Sequence, residues 1–407
     1  MSGGNDGGLH AASKAILAFA VGTFAIGTGE FAAMGLLPQM ADSLHVTVPQ
    51  AGGAISAYAL GVVVGAPLVS VLGASFSRRS LMVVLMAWFA VTNCLSTCAT
   101  SLHMLELARF ITGLPHGSFM GVSALVAAGL VERGYRGRAV GRVFAGMTIA
   151  NILGAPFASY AGTYFGWRLS YLLIGLISAI CCVMIQLFVP YDSPNRARSA
   201  LGELAAFTRK QVWFVIGTVA VGCGGMFCVY TYFSLTLQQV THVPVWAVPL
   251  FQSLWGMGMF VGAWVGGIVM DKNLKWATIG AFIWNAAALG MFALVASNIP
   301  LTALAVFMLG GGIALSPAMQ MRLMDVAADA QTLAASMNHA AFNMANALGA
   351  WLGGLVLVAG YGDAATGWAG MILSCVGLIL FLLSLWSEKR DAGKEAARSG
   401  DSILSLP

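Results

Sequence analysis

Few residues of this 407-residue chain could do chemistry, because only 9% of it is Asp, Glu, Lys or Arg. Two of those few stand inside long apolar stretches. Glu30 sits in Gly27-Thr28-Gly29-Glu30-Phe31, and Arg109 is followed by Gly113, His116 and Gly117. An ionisable group surrounded by hydrocarbon is costly while charged and is a functional candidate by default. A carboxylate at Glu30 can therefore load and release a proton. The alternative is a permanently salt-bridged or capping group. Arg109 keeps its proton, so it needs either a carboxylate or backbone carbonyls. Glu30 meets the first need, directly or through a water, and Glu106, one turn before Arg109, competes for it. Helical spacing puts Arg109, Gly113, His116 and Gly117 on one face, where the glycines admit another helix or a ligand.

Further polar groups lie in similar surroundings. His116, His339, Asn151, Asn343 and Asn346 could be glue between helices or the lining of a cavity. Asn343 and Asn346, three apart, share a face. Tyr230 and Tyr232 stand among Phe227 and Phe233, and their hydroxyls want partners. Together these residues would form a mostly apolar pocket with a few polar groups, the usual make-up of a small-molecule site. No Ser/His/Asp grouping, H-E-x-x-H, carboxylate pair or phosphate-binding Gly-rich loop accompanies them, so an enzyme is not expected. The seven cysteines all fall in apolar stretches and read as small core residues rather than as a disulfide or metal framework. No cofactor or metal ion is called for.

The elements that must position these residues are membrane helices. Apolar residues make up 59% of the chain, and mean hydropathy is +0.84. A soluble domain carries about 25% charged residues, so a soluble enzyme, a disordered chain and a nucleic-acid binder are excluded. Crossing a ~30 Å hydrocarbon core takes about 20 apolar residues. Twelve such runs are present, at roughly 15–41, 50–72, 79–99, 103–131, 138–162, 167–189, 211–238, 244–270, 275–296, 299–325, 329–359 and 364–386. The longest polar interruption, 190–210, follows the sixth. The expected organisation is a cytoplasmic N-terminus (1–14), a six-helix bundle (15–189), a cytoplasmic linker (190–210), a second six-helix bundle (211–386) and a charged, poorly ordered cytoplasmic tail (387–407). The polar, glycine-rich start, with no small-residue cleavage site after the first apolar run, argues against a cleaved signal peptide.

With both termini in the cytoplasm, 18 of the 20 Lys and Arg fall inside, all but Arg109 and Arg168. This is a strong positive-inside bias, and it accounts for the net charge of +5 without an anionic partner. An internal repeat supports the six-plus-six division. Ala150-Asn151-Ile152-Leu153-Gly154-Ala155 and Ala345-Asn346-Ala347-Leu348-Gly349-Ala350 both read A-N-x-L-G-A, 195 positions apart. The loops after the second and eighth spans match at nearly the same offset. Two duplicated halves around a midplane cavity is a transporter plan.

These residues resemble the major facilitator superfamily. Its loop between spans two and three is similar to Gly73-Ala74-Ser75-Phe76-Ser77-Arg78-Arg79, where Ala74 takes the usual Asp position and only the basic end survives. The second-half loop keeps more, with Gly267, Asp271 and Lys272. The resemblance implies that Arg78, Arg79, Gly267, Asp271 and Lys272 help to latch the halves in the outward-facing state, with most of that role on Asp271. Arg109, Gly113 and Gly117 are similar to the R-x-x-x-G-x-x-x-G motif, which implies proton coupling. Gly146, Gly154-Ala155-Pro156 and Gly162 are similar to the antiporter motif, with its usual Gly-Pro interrupted by Ala155. That implies a conformational role for Gly154 and Pro156. The Gly-Thr-Gly-Glu-Phe start with Leu36-Leu37-Pro38 resembles the arabinose and sugar efflux branch and its chloramphenicol-exporting relatives.

The expectation is an all-α membrane protein of twelve spans with the major facilitator fold, in a bacterial inner membrane. Its partners would be the bilayer, protons and a small-molecule substrate, a drug or a sugar, with no nucleic acid, and it would work as a monomer. It would export that substrate in exchange for protons by alternating access. Glu30 would bind either a proton or a cationic substrate, and Arg109 would tune it. A sugar or nucleoside uniporter or symporter of the same fold is the alternative, and a non-transporting sensor or scaffold is the alternative of another class.

Overall fold

A computed structural model describes residues 3–73, 76–132, 135–191, 209–327 and 331–403. Twelve helices there are long and apolar enough to cross a membrane. They are α1 (Ala12–Gly35), α2 (Val48–Val69), α3 (Arg78–Ser96), α4 (Leu102–Gly129), α5 (Arg136–Phe165), α6 (Trp167–Phe188), α7 (Lys210–Gln239), α8 (Val245–Met270), α9 (Leu274–Val295), α10 (Ile299–Ala327), α11 (Met337–Val358) and α12 (Ala365–Arg390). Helices are expected, since within hydrocarbon each backbone polar group must be satisfied internally. Ala74 and residues 192–208 of the expected linker lie outside the described residues.

The helices pack as two related bundles. In the first half α1 packs on α5 and α6, α3 on α6 and α2 on α4. In the second half α7 packs on α11 and α12, α9 on α12 and α8 on α10. Each pairing recurs six helices later. The closest crossings repeat atom for atom. A Cβ on Gly61 would lie 2.1 Å from the Phe110 carbonyl oxygen, and one on Gly258 would lie 2.0 Å from that of Phe307. A Cβ on Gly113 would meet the Tyr58 carbonyl at 2.2 Å, and one on Gly310 that of Trp255 at 2.1 Å. Glycine lets the backbones touch here, and in lipid such packing holds helices together. The halves meet where α2 packs on α11, α5 on α8 and α1 on α7.

Three details depart from the expected spans, each for a physical reason. The first run does not end as one helix near 41: the helix stops at Gly35 and a short helix, Leu37–Ser43, follows. Pro38 has no N–H to donate and constrains the residue before it. In α5, Ala150–Gly154 winds as a π-helical turn just before Pro156. The last helix does not stop near 386 but runs from Ala365 to Ile403. Its polar end is rich in Ala, Lys, Glu and Arg, all strong helix formers.

Candidate functional site

A cavity of about 220 Å³ lies between the halves. Helices from both halves line it: α1, α4 and α5 from the first, and α7, α8, α10 and α11 from the second. Glu30, His116, Asn151, His339 and Asn343 are on its wall, so the structure brings together five of the expected residues. Most of the remaining wall is apolar, with Phe31, Phe144, Phe227, Phe342 and three methionines.

Glu30 is buried, 6% exposed. Asn346 Nδ2 donates to its Oε1 at 3.2 Å, from α11 of one half to α1 of the other. Arg109 lies behind the adjacent residue. Its Nη2 donates to the Gly29 carbonyl at 3.0 Å, and the guanidinium sits over the Tyr58 ring at 4.2 Å and the Tyr171 ring at 5.2 Å. No direct ion pair joins Arg109 to Glu30 among the described residues. Of the two sequence-derived options for Arg109, the backbone carbonyl is the one this conformation uses. Glu106 does not compete for it: its carboxylate pairs with His103 at 3.2 Å. The Tyr58 hydroxyl lies 3.0 Å from His116 Nδ1. One tyrosine thus touches the buried cation with its ring and a cavity imidazole with its hydroxyl. The imidazole of His339 stacks on Phe144 across the halves, centroids 6.1 Å apart.

The two tyrosines of α7 stand back from the cavity. Tyr232 donates its hydroxyl to the Ala350 carbonyl at 2.8 Å and packs against Gly353. Its polar atom is spent on α11, so its assignment to the cavity wall is corrected. Tyr230 is fully buried and stacks on Trp255, centroids 4.1 Å apart. Its ring packs on Phe31 of the cavity wall, whose centroid is 5.8 Å away. Asn346 is also set behind the wall, where it holds Glu30.

The halves are tied together at the end opposite both termini. Ser56 Oγ donates to the Ala347 carbonyl at 3.3 Å, Ser234 Oγ to that of Gly35 at 3.2 Å and Gln252 Nε2 to that of Phe31 at 3.3 Å. The α5 turn supplies a fourth tie. Pro156 cannot donate to the Ile152 carbonyl four residues back, and Ser253 Oγ of α8 donates to that oxygen instead, at 2.9 Å. Gly256 fits against the same turn, where a Cβ would lie 2.5 Å from the Asn151 carbonyl. Gly154 fits against α1, where a Cβ would meet Thr28 Oγ1 at 2.3 Å. Arg78 opens α3, and Arg79 donates to the Gln186 carbonyl in α6 of its own half. Gly267 and Lys272 lie in the last turns of the helix Val248–Lys272. The side chain of Asp271 lies outside the described part.

Sequence reasoning missed Tyr58, Gln252 and Ser253. A hydroxyl or amide within an apolar span was their only signal, since such a group must find a partner.

A match over most of the chain decides the family: the profile of the Major Facilitator Superfamily fits residues 19–327. The chain belongs to that superfamily. It is similar to the inner membrane transport protein YdhP of Escherichia coli K12, with 38% identity over 370 residues, covering 91% of this chain and 95% of that protein. It is 30% identical to a chloramphenicol resistance protein of Streptomyces lividans, covering 89% of this chain and 93% of that one. Among solved structures, a bacterial homologue of the human lysosomal transporter Spinster, in an inward-facing and unoccupied conformation, superposes with a TM-score of 0.71. The identity is 12%, covering 92% of this chain and 97% of that one, a likeness of fold. The chain is therefore a multi-pass membrane transporter of the major facilitator type.

Proposed function

We propose that this transporter exports a small molecule in exchange for protons. The observation that carries the reading is Glu30, a buried carboxylate on the wall of the cavity between the halves, held by Asn346 of the opposite half. A carboxylate there can carry a proton or a cationic substrate, and the two exclude each other. Arg109 stands one residue away behind Gly29 and sets the charge balance that Glu30 feels. One relative is a chloramphenicol resistance protein, and export of a small molecule is one way to confer such resistance. With both termini cytoplasmic, the end at which the halves are tied together faces outside. The halves rock about the site, with Gly154 and Pro156 at the hinge turn and Arg78, Arg79, Gly267, Asp271 and Lys272 at the latch loops. The site is complete within one chain, and the protein works as a monomer in the inner membrane.

Proton movement in inverted vesicles with a preset pH gradient tests this. A panel of organic cations, chloramphenicol-like neutral compounds and sugars is added to wild type and to Glu30→Gln. Gradient collapse triggered by one class and lost in Glu30→Gln is the expected result. If folded protein equilibrates radiolabelled sugar or nucleoside without moving protons, it is a uniporter and Glu30 is structural.

A further inference from the structure

Each fixed polar group of the cavity leaves an acceptor that a ligand could meet. Asn151 Nδ2 donates to the Met147 carbonyl at 2.9 Å, and Asn343 Nδ2 donates to the His339 carbonyl at 3.1 Å. A carbonyl oxygen can only accept, so each amide is oriented with one N–H of its Nδ2 on the helix backbone and its Oδ1 elsewhere. Both residues line the cavity, Asn151 1% and Asn343 4% exposed, and each Oδ1 is buried without a partner. The third fixed group is Glu30, an acceptor when ionised. The other polar groups of the wall adapt. His116, His339, Thr148 and Ser316 can each donate or accept. A ligand carrying donors meets these unpartnered oxygens, whereas a ligand carrying only acceptors, or none, leaves them bare. A buried unsatisfied acceptor costs about 1–3 kcal/mol, so the wall discriminates.

We infer that the substrate is a primary or secondary organic ammonium on an aromatic or aliphatic body. Its charge lies against Glu30, its N–H donors reach Asn151 Oδ1 of one half and Asn343 Oδ1 of the other, and its body lies among the phenylalanines. The inference rests on the exporter reading and makes it more specific. Asn151 and Asn343 become the residues that select N–H donors over charge alone. They stand on opposite halves, so one ammonium group can bridge the two.

The test is direct binding to purified protein in detergent, comparing phenethylammonium with its N,N,N-trimethyl analogue, which keeps the charge and the ring but has no N–H. In wild type the primary ammonium binds about tenfold tighter or more, because a site built to hydrogen-bond rejects the analogue that lacks the donor. In Asn151→Leu/Asn343→Leu the preference falls to about twofold or less, with both ligands still bound. The single variants Asn151→Ala and Asn343→Ala, each checked by size-exclusion chromatography, retain part of it. Equal binding of the two ligands to wild type overturns the inference without any variant. A preference that survives the double substitution overturns it too. The vesicle assay separates the two readings. If chloramphenicol-like compounds or sugars move protons in a Glu30-dependent way and phenethylammonium does not, the exporter reading stands and this inference falls. If phenethylammonium is preferred in binding but no compound moves protons, the inference stands and proton coupling falls.

Discussion

Asn346 and Glu30 are 316 positions apart in the chain and 3.2 Å apart in space, joined by a hydrogen bond that crosses the interface between the two halves. It is the one hydrogen bond between the halves, among those described, that ends on a titratable group of the cavity.

Removing that bond loosens the closed end. A hydrogen bond to a charged group contributes about 1.5–3 kcal/mol. Asn346→Leu is therefore expected to lower the ratio of closed to open states at the end opposite the termini by about tenfold or more. Distances between spin labels on the ends of α2 and α11 opposite the termini, in wild type and variant, measure this. An unchanged distance distribution would show that the bond does not hold the halves.

The α5 turn makes a coupled prediction. Ser253→Ala leaves the Ile152 carbonyl, which Pro156 cannot satisfy, without its donor, at a stability cost of about 1 kcal/mol. Pro156→Ala returns an N–H that can reach the same oxygen, so Ser253→Ala should cost less in that background. A double-mutant cycle on thermal stability reads the difference. Equal costs in both backgrounds contradict the shared carbonyl.

Close backbone approach is tested in the second half. Gly258→Ala places a methyl 2.0 Å from the Phe307 carbonyl oxygen, and nothing lies within 4 Å of a Cβ at Gly280. Overpacking of this kind costs about 1–3 kcal/mol, so the Tm of Gly258→Ala should fall by several degrees and that of Gly280→Ala should barely move. Equal shifts would mean that the α8–α10 crossing is not the tight one.

Asp363, in the loop between α11 and α12, gives a pH dependence. Partial burial pushes its carboxyl above the ordinary value of 3.8, so its charged form is disfavoured in the folded state. Its contribution to stability is present below pH 3.8 and is lost as pH rises through the raised folded value. The Tm of wild type minus that of Asp363→Asn should therefore decrease across that acid window, and a difference that rises with pH would refute the burial argument.

Hydropathy and the placement of charge were enough to read twelve spans, two halves and one misplaced carboxylate, because a bilayer penalises polar groups residue by residue and that penalty is local. The repeat around Asn151 and Asn346 was legible for the same reason, as duplicated helices keep their packing residues. The partners were decided only in three dimensions. Arg109 was bound to need an acceptor, but whether Glu30, Glu106 or a backbone carbonyl would supply it depended on how α1 and α4 lie against each other, and Gly29 won. Tyr230 and Tyr232 were visible as hydroxyls in search of partners, yet the rotation of α7 turned both away from the cavity. Asn343 and Asn346 share a helix face, but one lines the cavity while the other holds Glu30. Sequence alone determines what a membrane helix must hide, since that is set by each residue's own transfer cost. Which group hides it is a matter of distance between helices far apart in the chain, and only the tertiary structure decides that.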